Sequence, residues 1–187
     1  TFRGVLKLIE FLRKSSLPEA AVVAEPTALR AVRANKGVLR WNVTTKGKSV
    51  HSSNPNLGKS AISDMARVIL GLEDHFCELE KETHPLVGTK TGSIGVIEGG
   101  AQVNLVPDRC QIKIDRRLLP GETAQEALAQ CEEVLANLRG QHPQLEVEME
   151  PPFLTDEAME TPADARVVET ASCILRFCTS DPLLSRL

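Results

Sequence analysis

Leu39, Trp41 and Val43 alternate with Arg40, Asn42 and Thr44, which predicts a strand from Gly37 with one buried and one wet face. After a loop rich in Gly, Ser, Asn and Pro (residues 47–58) the period lengthens. Ile62, Met65, Ala66, Ile69, Leu72, Phe76 and Leu79 recur every three to four residues, which predicts a long amphipathic helix. A Pro- and Gly-containing break over 85–92 leads to a strand centred on Ile94 and Val96. Gly99 and Gly100 interrupt it. The next strand sets Cys110, Ile112 and Ile114 against Gln111, Lys113 and Asp115. Pro120-Gly121 makes a turn, and Thr123 with Glu126 reads as a capping box. It opens a helix that buries Ala127, Leu128, Cys131, Val134, Leu135 and Leu138 and is expected to stop at Gly140. Leu145, Val147 and Met149 then alternate with glutamates as a last strand. Strand, helix, strand, strand, helix, strand is the split βαβ order of an α+β, ferredoxin-like domain. It implies a four-stranded antiparallel sheet with both helices on one face.

The flanks have a different character. Val5, Leu8, Ile9 and Leu12 fall at helical spacing within 2–14, and Ala21-Val22-Val23-Ala24 suits a short buried parallel strand ended by Glu25-Pro26-Thr27. Helix then buried strand belongs to an α/β layer. Beyond Pro151-Pro152, residues Thr161, Pro162 and Asp164 form a helix-start signature, with Val167, Val168, Ala171, Ile174 and Leu175 on one face. The expected organisation is therefore a compact domain over 37–151 between two pieces of another domain, 1–36 and 152–187. Neither flank is large enough to build a core alone.

Composition narrows the function classes. The formal charge is −3, with one Trp, no Tyr and no Lys/Arg run, so nucleic acid is not an expected partner. No apolar stretch approaches the roughly 20 residues that span a bilayer, so no membrane is expected either. Five cysteines, an odd number without metal-ligand spacing, read as reduced and mostly buried in a cytoplasmic protein. Thr1 is not an initiator residue, and a processed or cut start is expected.

Candidate chemistry sits in three segments. Gly47-Lys48-Ser49-Val50-His51-Ser52-Ser53-Asn54-Pro55 carries an imidazole that can polarise a carbonyl, donate to an oxyanion or hold a metal. Gly99-Gly100 allows close backbone approach, and Asn104-Leu105-Val106-Pro107 follows. Asp115-Arg116-Arg117 ends a strand with two guanidinium groups that alternation sends to opposite faces. Taken singly, these are a surface histidine, a bulge with a structural asparagine, and a solvated sheet edge.

Together with Glu25-Pro26-Thr27 and Gly58-Lys59-Ser60-Ala61-Ile62, their order and spacing resemble the zinc metallopeptidase family of acetylornithine deacetylase, succinyl-diaminopimelate desuccinylase, aminoacylase and glutamate carboxypeptidase. The resemblance runs through nearly the whole chain, whose central domain matches that family's lid. It implies that Glu25 ligates one of two zinc ions and that His51 crosses a homodimer interface to bind the scissile carbonyl oxygen. It also implies that Asn104 assists at the substrate or oxyanion, that Arg117 grips a substrate carboxylate, and that the Gly100 backbone approaches the substrate. Arg116 has no counterpart and is expected to be structural. The implied reaction is hydrolysis of the amide bond of N-acyl amino acids or small peptides. The family's His-x-Asp motif, bridging Asp, Glu-Glu pair and later His ligand are all missing. One carboxylate cannot hold a catalytic zinc pair, so the chain alone is expected to be an inactive fragment that does not retain zinc. A non-catalytic dimerisation module and a small-molecule regulatory domain are the alternatives.

Overall fold

The structure is a computed structural model that describes residues 3–14, 18–24, 27, 28 and 30–180, the last four by backbone only. Its elements are α1 (Arg3–Arg13), β1 (Ala34–Asn35), β2 (Gly37–Lys46), α2 (Ala61–Leu79), β3 (Thr83–His84), β4 (Gly88–Thr89) and β5 (Thr91–Gly99). They continue with β6 (Arg109–Leu118), α3 (Ala124–Gln141), β7 (Glu146–Met149), β8 (Leu154–Asp156), β9 (Met159–Glu160) and α4 (Arg166–Ser180). The chain divides into two compact units, Ala34–Glu160 and a second made of Thr1–Arg33 with Thr161–Leu187. The lid expected over 37–151 lies inside the first unit, which also takes in β1, β8 and β9.

The main sheet has the order β5-β6-β2-β7, every pair antiparallel, with β8 alongside the start of β2. The first strand of the sequence pattern thus lies between the third and fourth, and the second is at the edge, as a split βαβ requires. Leu39, Trp41, Val43, Ile112 and Ile114 point from the sheet into one core with Met65, Val68 and Leu72 of α2 and Cys131 and Leu135 of α3. Each fully buried aliphatic side chain there contributes about 1.5–3 kcal/mol. Gly71 of α2 faces Leu138 of α3, so the two helices pack side by side over the sheet. Gly92 of β5 lies against the Phe76 ring, where a Cβ would come within 2.4 Å of it.

Local chemistry sets the helix starts. The Ser60 hydroxyl accepts from the Ser63 N–H at the head of α2. Thr123 and Glu126 complete the capping box of α3, with Thr123 N–H donating to Glu126 Oε2 at 2.9 Å and Glu126 N–H to Thr123 Oγ1 at 3.2 Å. Those donations from Thr123 hold the Glu126 carboxyl below its usual range. Helix α3 continues through Gly140 to Gln141 instead of stopping there.

Strand β5 departs from simple alternation. A bulge between Ile94 and Val96 adds a residue, so Ile94 and Ile97 align with the core residues Ile114 and Ile112, whereas Val96 aligns with Lys113 on the opposite face.

The second unit, taken by itself, contains α1 and α4 at the expected places. The strand expected at 21–24 does not form. Val22 and Val23 are 72% and 76% exposed and carry no ladder bonds. A buried parallel strand needs neighbours in its own sheet, and every sheet among the described residues is antiparallel. The cysteines also depart from expectation: Cys110 and Cys131 are buried, but Cys77 and Cys173 are exposed.

Candidate functional site

The loop after β2 and the loop between β5 and β6 pair with each other at one end of the sheet. Gly47 N–H donates to the Asp108 carbonyl at 2.8 Å, Val106 N–H to Val50 at 2.8 Å, and Ser52 N–H to Asn104 at 2.9 Å. His51 and Leu105 form a bridge within this pairing. Gly47 is required for it, since a Cβ there would lie 2.2 Å from the Lys59 carbonyl and 2.8 Å from that of Pro107. His51 and Asn104, far apart in sequence, are therefore fixed on one two-loop platform. Both side chains are exposed, and the Asn104 amide makes no hydrogen bond among the described residues.

The His51 ring is oriented. The Ser53 backbone N–H points at Nδ1 from 3.2 Å, and the Ser53 hydroxyl lies 2.8 Å from the same atom. A backbone N–H can only donate, so Nδ1 accepts and the neutral ring carries its proton on Nε2. Asn54 Nδ2 donates to the Ser53 hydroxyl at 3.2 Å, leaving that hydroxyl's own proton for Nδ1. The outward nitrogen is thus a hydrogen-bond donor, suited to a carbonyl oxygen or oxyanion.

Gly100 adopts φ +73°, a left-handed conformation that favours glycine. Its N–H donates to the Arg109 carbonyl at 3.2 Å, so any approach to a ligand falls to its carbonyl. Glu25 lies outside the described residues. Among the described residues, no group of three or more His, Cys, Asp or Glu could hold a metal, so the residues in view do not make a zinc site.

Arg116 and Arg117 go to opposite faces. Arg116 is fully buried beneath α3, with Nη2 donating to Glu122 and Gln130 at 2.6 Å each and Nη1 to the Ala127 carbonyl at 3.1 Å. Arg117 lies on the open face, with Nε donating to Asp115 Oδ1 at 2.8 Å. It is not near the His51 platform. Arg117 and Arg109, the platform end of β6, are eight residues apart, about 26 Å along a strand. A separate groove of about 460 Å³ lies between α2 and α3, lined by His75, Glu78, Glu82, Gln130 and Glu133. It touches none of the residues singled out by motif. Burial, reinforced by Arg116, holds the His75 pKa below its ordinary value.

A profile of the peptidase dimerisation domain matches residues 33–143. The chain belongs to the metallopeptidase and amidohydrolase family of acetylornithine deacetylase. Acetylornithine deacetylase of Myxococcus xanthus is 34% identical over 173 residues, covering 88% of this chain and 43% of that protein. The Pectobacterium atrosepticum enzyme of the same name is 31% identical over 182 residues, covering 91% and 47%. The chain spans less than half the length of these curated relatives. Among solved structures, aminopeptidase PepT of Bacillus cereus superposes with a TM-score of 0.55 at 24% identity, covering 74% of this chain and 34% of that one. A tripeptidase of Staphylococcus aureus gives 0.57 at 18% identity, covering 78% and 36%. At that identity the likeness shows the shared fold of the family. Sequence reasoning misses two features: the role of Ser53, which lies within the His51 segment but is assigned no part there in turning the imidazole, and the cross-strand pairing of Arg40 with Asp115. The second is visible only once the β2–β6 register is known.

Proposed function

We propose that the full-length protein is a cytoplasmic amidohydrolase acting with two zinc ions on N-acyl amino acids or small peptides. In this reading 37–151 is its lid and dimer interface, and 1–36 and 152–187 belong to its catalytic domain. The observation that carries the reading is the separation of Arg117 from His51 and Asn104 along one sheet. A small N-acyl amino acid cannot bridge about 26 Å, so if all three serve one reaction they come from two copies of the chain.

The surface of the unit supports such a pairing. Strand β5 is an edge strand, and its outer ladder groups have no strand partner among the described residues. Ile97 is 54% exposed, and Ile62 of α2 is exposed beside Gly99. An exposed apolar edge of this kind is a template for a second copy. Antiparallel β5–β5 pairing about a two-fold axis sets the Gly99 end of one strand against the Thr91 end of the other. Thr91 is register-paired with Arg117. The His51–Asn104 platform of one copy then meets the Arg117 end of its partner.

At that composite site His51 Nε2 donates to the substrate carbonyl oxygen and strengthens the bond as negative charge develops there. Asn104 offers a second donor from the same platform, and Arg117 fixes the substrate through its carboxylate. A zinc pair would supply the activated water and Lewis-acid polarisation; the residues that would hold it, Glu25 among them, lie outside those described. The test is His51→Ala in the full-length protein. Turnover is expected to fall on the order of 10²-fold or more, with the sedimenting mass unchanged. Full turnover in that variant would remove His51 from the reaction.

A further inference from the structure

The open face of the sheet, opposite the helices, carries a charge arrangement that no motif announces. Arg40 of β2 is register-paired with Asp115 of β6, and Arg117 lies two residues further along the same strand on the same side. Asp115 accepts from both: Arg40 Nε at 2.5 Å on Oδ2 and Arg117 Nε at 2.8 Å on Oδ1, with Arg117 Nη2 at 3.5 Å from Oδ2. The two arginine side chains are 42% and 41% exposed, against 25% for the aspartate side chain they share. Neither Nη1 has an acceptor among the described residues, and neither Nη2 of Arg40 nor the outer edge of Arg117 is otherwise engaged.

One arginine on one aspartate is a neutral pair. A second guanidinium on the same carboxylate leaves a net positive charge and brings two like charges together, which raises the energy unless another anion shares them. The nearby carboxylates do not supply it. Glu150 is taken by Asn42, Thr44 and Gln111, and Asp156, opposite Val38, makes no ion pair among the described residues. Lys113, on the same face, adds a further positive charge.

The geometry also fixes which edges are free. Asp115 occupies the Nε side of both arginines, so what remains outward is the Nη edge, the fork that takes a carboxylate through two parallel hydrogen bonds. We infer that Arg40 and Arg117 together form a two-guanidinium seat for a ligand carboxylate, in which Arg40 is a second binding residue and Asp115 positions both. This rests on the proposal that Arg117 holds the carboxylate of the substrate, and it deepens that proposal by adding two residues. A carboxamide in the same place keeps one acceptor oxygen but loses the negative charge and turns an N–H toward guanidinium donors, so it binds more weakly.

The experiment compares N-acetyl-L-ornithine with its carboxamide as substrates of the full-length zinc-loaded protein, wild type and the variants Arg40→Gln, Asp115→Asn and Arg117→Gln. Circular dichroism confirms folding of each, and Arg40→Gln, altering a half-exposed side chain, carries the test if Asp115→Asn does not fold. The expected result is a rise in KM for the carboxylate of about tenfold in both Arg40→Gln and Asp115→Asn, the scale of one lost charge-assisted contact. In both, kcat stays within about twofold and the carboxamide is unaffected, as expected for a residue that binds without entering the chemistry. If Arg117→Gln discriminates between the two ligands but Arg40→Gln and Asp115→Asn do not, the seat is refuted and the single-arginine clamp stands. If Arg117→Gln does not discriminate, or wild type turns over neither compound, the clamp falls and the seat with it.

Discussion

Replacing Arg116 by Ala is expected to be the most damaging single change in the larger unit. The side chain is fully buried, and its removal strands Glu122, itself 7% exposed, with only the Leu119 N–H at 3.2 Å and Lys90 at 3.5 Å. Gln130 and the Ala127 carbonyl lose a donor each. Breaking a buried ion pair from one side costs about 3–5 kcal/mol because a charge is left in low dielectric. With a urea m-value of roughly 1–3 kcal/mol per molar, the unfolding midpoint falls by about 1–5 M. The 187-residue chain has one tryptophan, Trp41, buried in the core of this unit, so its fluorescence reports the unit directly. Arg116→Met combined with Glu122→Gln removes both charges and should recover most of the loss. The His75 pKa should rise at the same time, because Arg116 is one of the charges holding it down. A loss below about 1 kcal/mol in Arg116→Ala, the scale of an exposed pair, would refute the reasoning.

Three further outcomes follow from the same geometry. The folded pKa of His75 lies below its ordinary 6.5, chiefly through burial. The unfolded chain therefore takes up the proton first, and stability falls as pH drops through about 6.5 toward the lowered value. In urea titrations at stepped pH, His75→Gln should remove that slope and leave the separate loss below 4.5, where the depressed carboxyls of Glu126 and Glu150 protonate. Gly47→Ala pushes a Cβ into two backbone carbonyls and is expected to cost at least about 1–3 kcal/mol; on amide exchange, faster labelling of Ser52 and Val106 should mark the opened platform. Ile97→Lys on the β5 edge should lower the sedimenting mass of the full-length protein to that of a monomer, while in the 187-residue chain the unfolding free energy read by Trp41 stays within about 0.5 kcal/mol.

The central domain could be read in the sequence because each element there has one face in a single core. Leu39, Trp41 and Val43 repeat at two, and Met65, Leu72 and Phe76 at three to four, so period and partner agree. The β5 bulge was hidden because Ile94, Val96 and Ile97 satisfy alternation and a shifted register equally well. Residues 21–24 misled for a different reason: an apolar run states only that a segment is to be buried, and the covering layer is not part of the segment. For the site, Gly47 to Pro55 marked the His51 loop, and alternation alone separated Arg116 from Arg117. The pairing of Arg40 with Asp115 could not be read, because it depends on a register between strands separated by 75 positions.

Strands β1 and β9 bring the two ends of the larger unit together. Ala34 and Glu160, the two ends of the larger unit, are antiparallel register partners, which sets their Cα atoms about 5 Å apart. Met159 N–H also donates to Asn35 Oδ1 at 3.0 Å. A host chain interrupted at such a point has a gap that a turn of two or three residues could close, and the loop-closure entropy hardly changes whether the cassette is present or spliced out. The same closeness makes the unit a natural candidate for circular permutation, with new ends opened in the exposed 101–104 tip and the old ones fused.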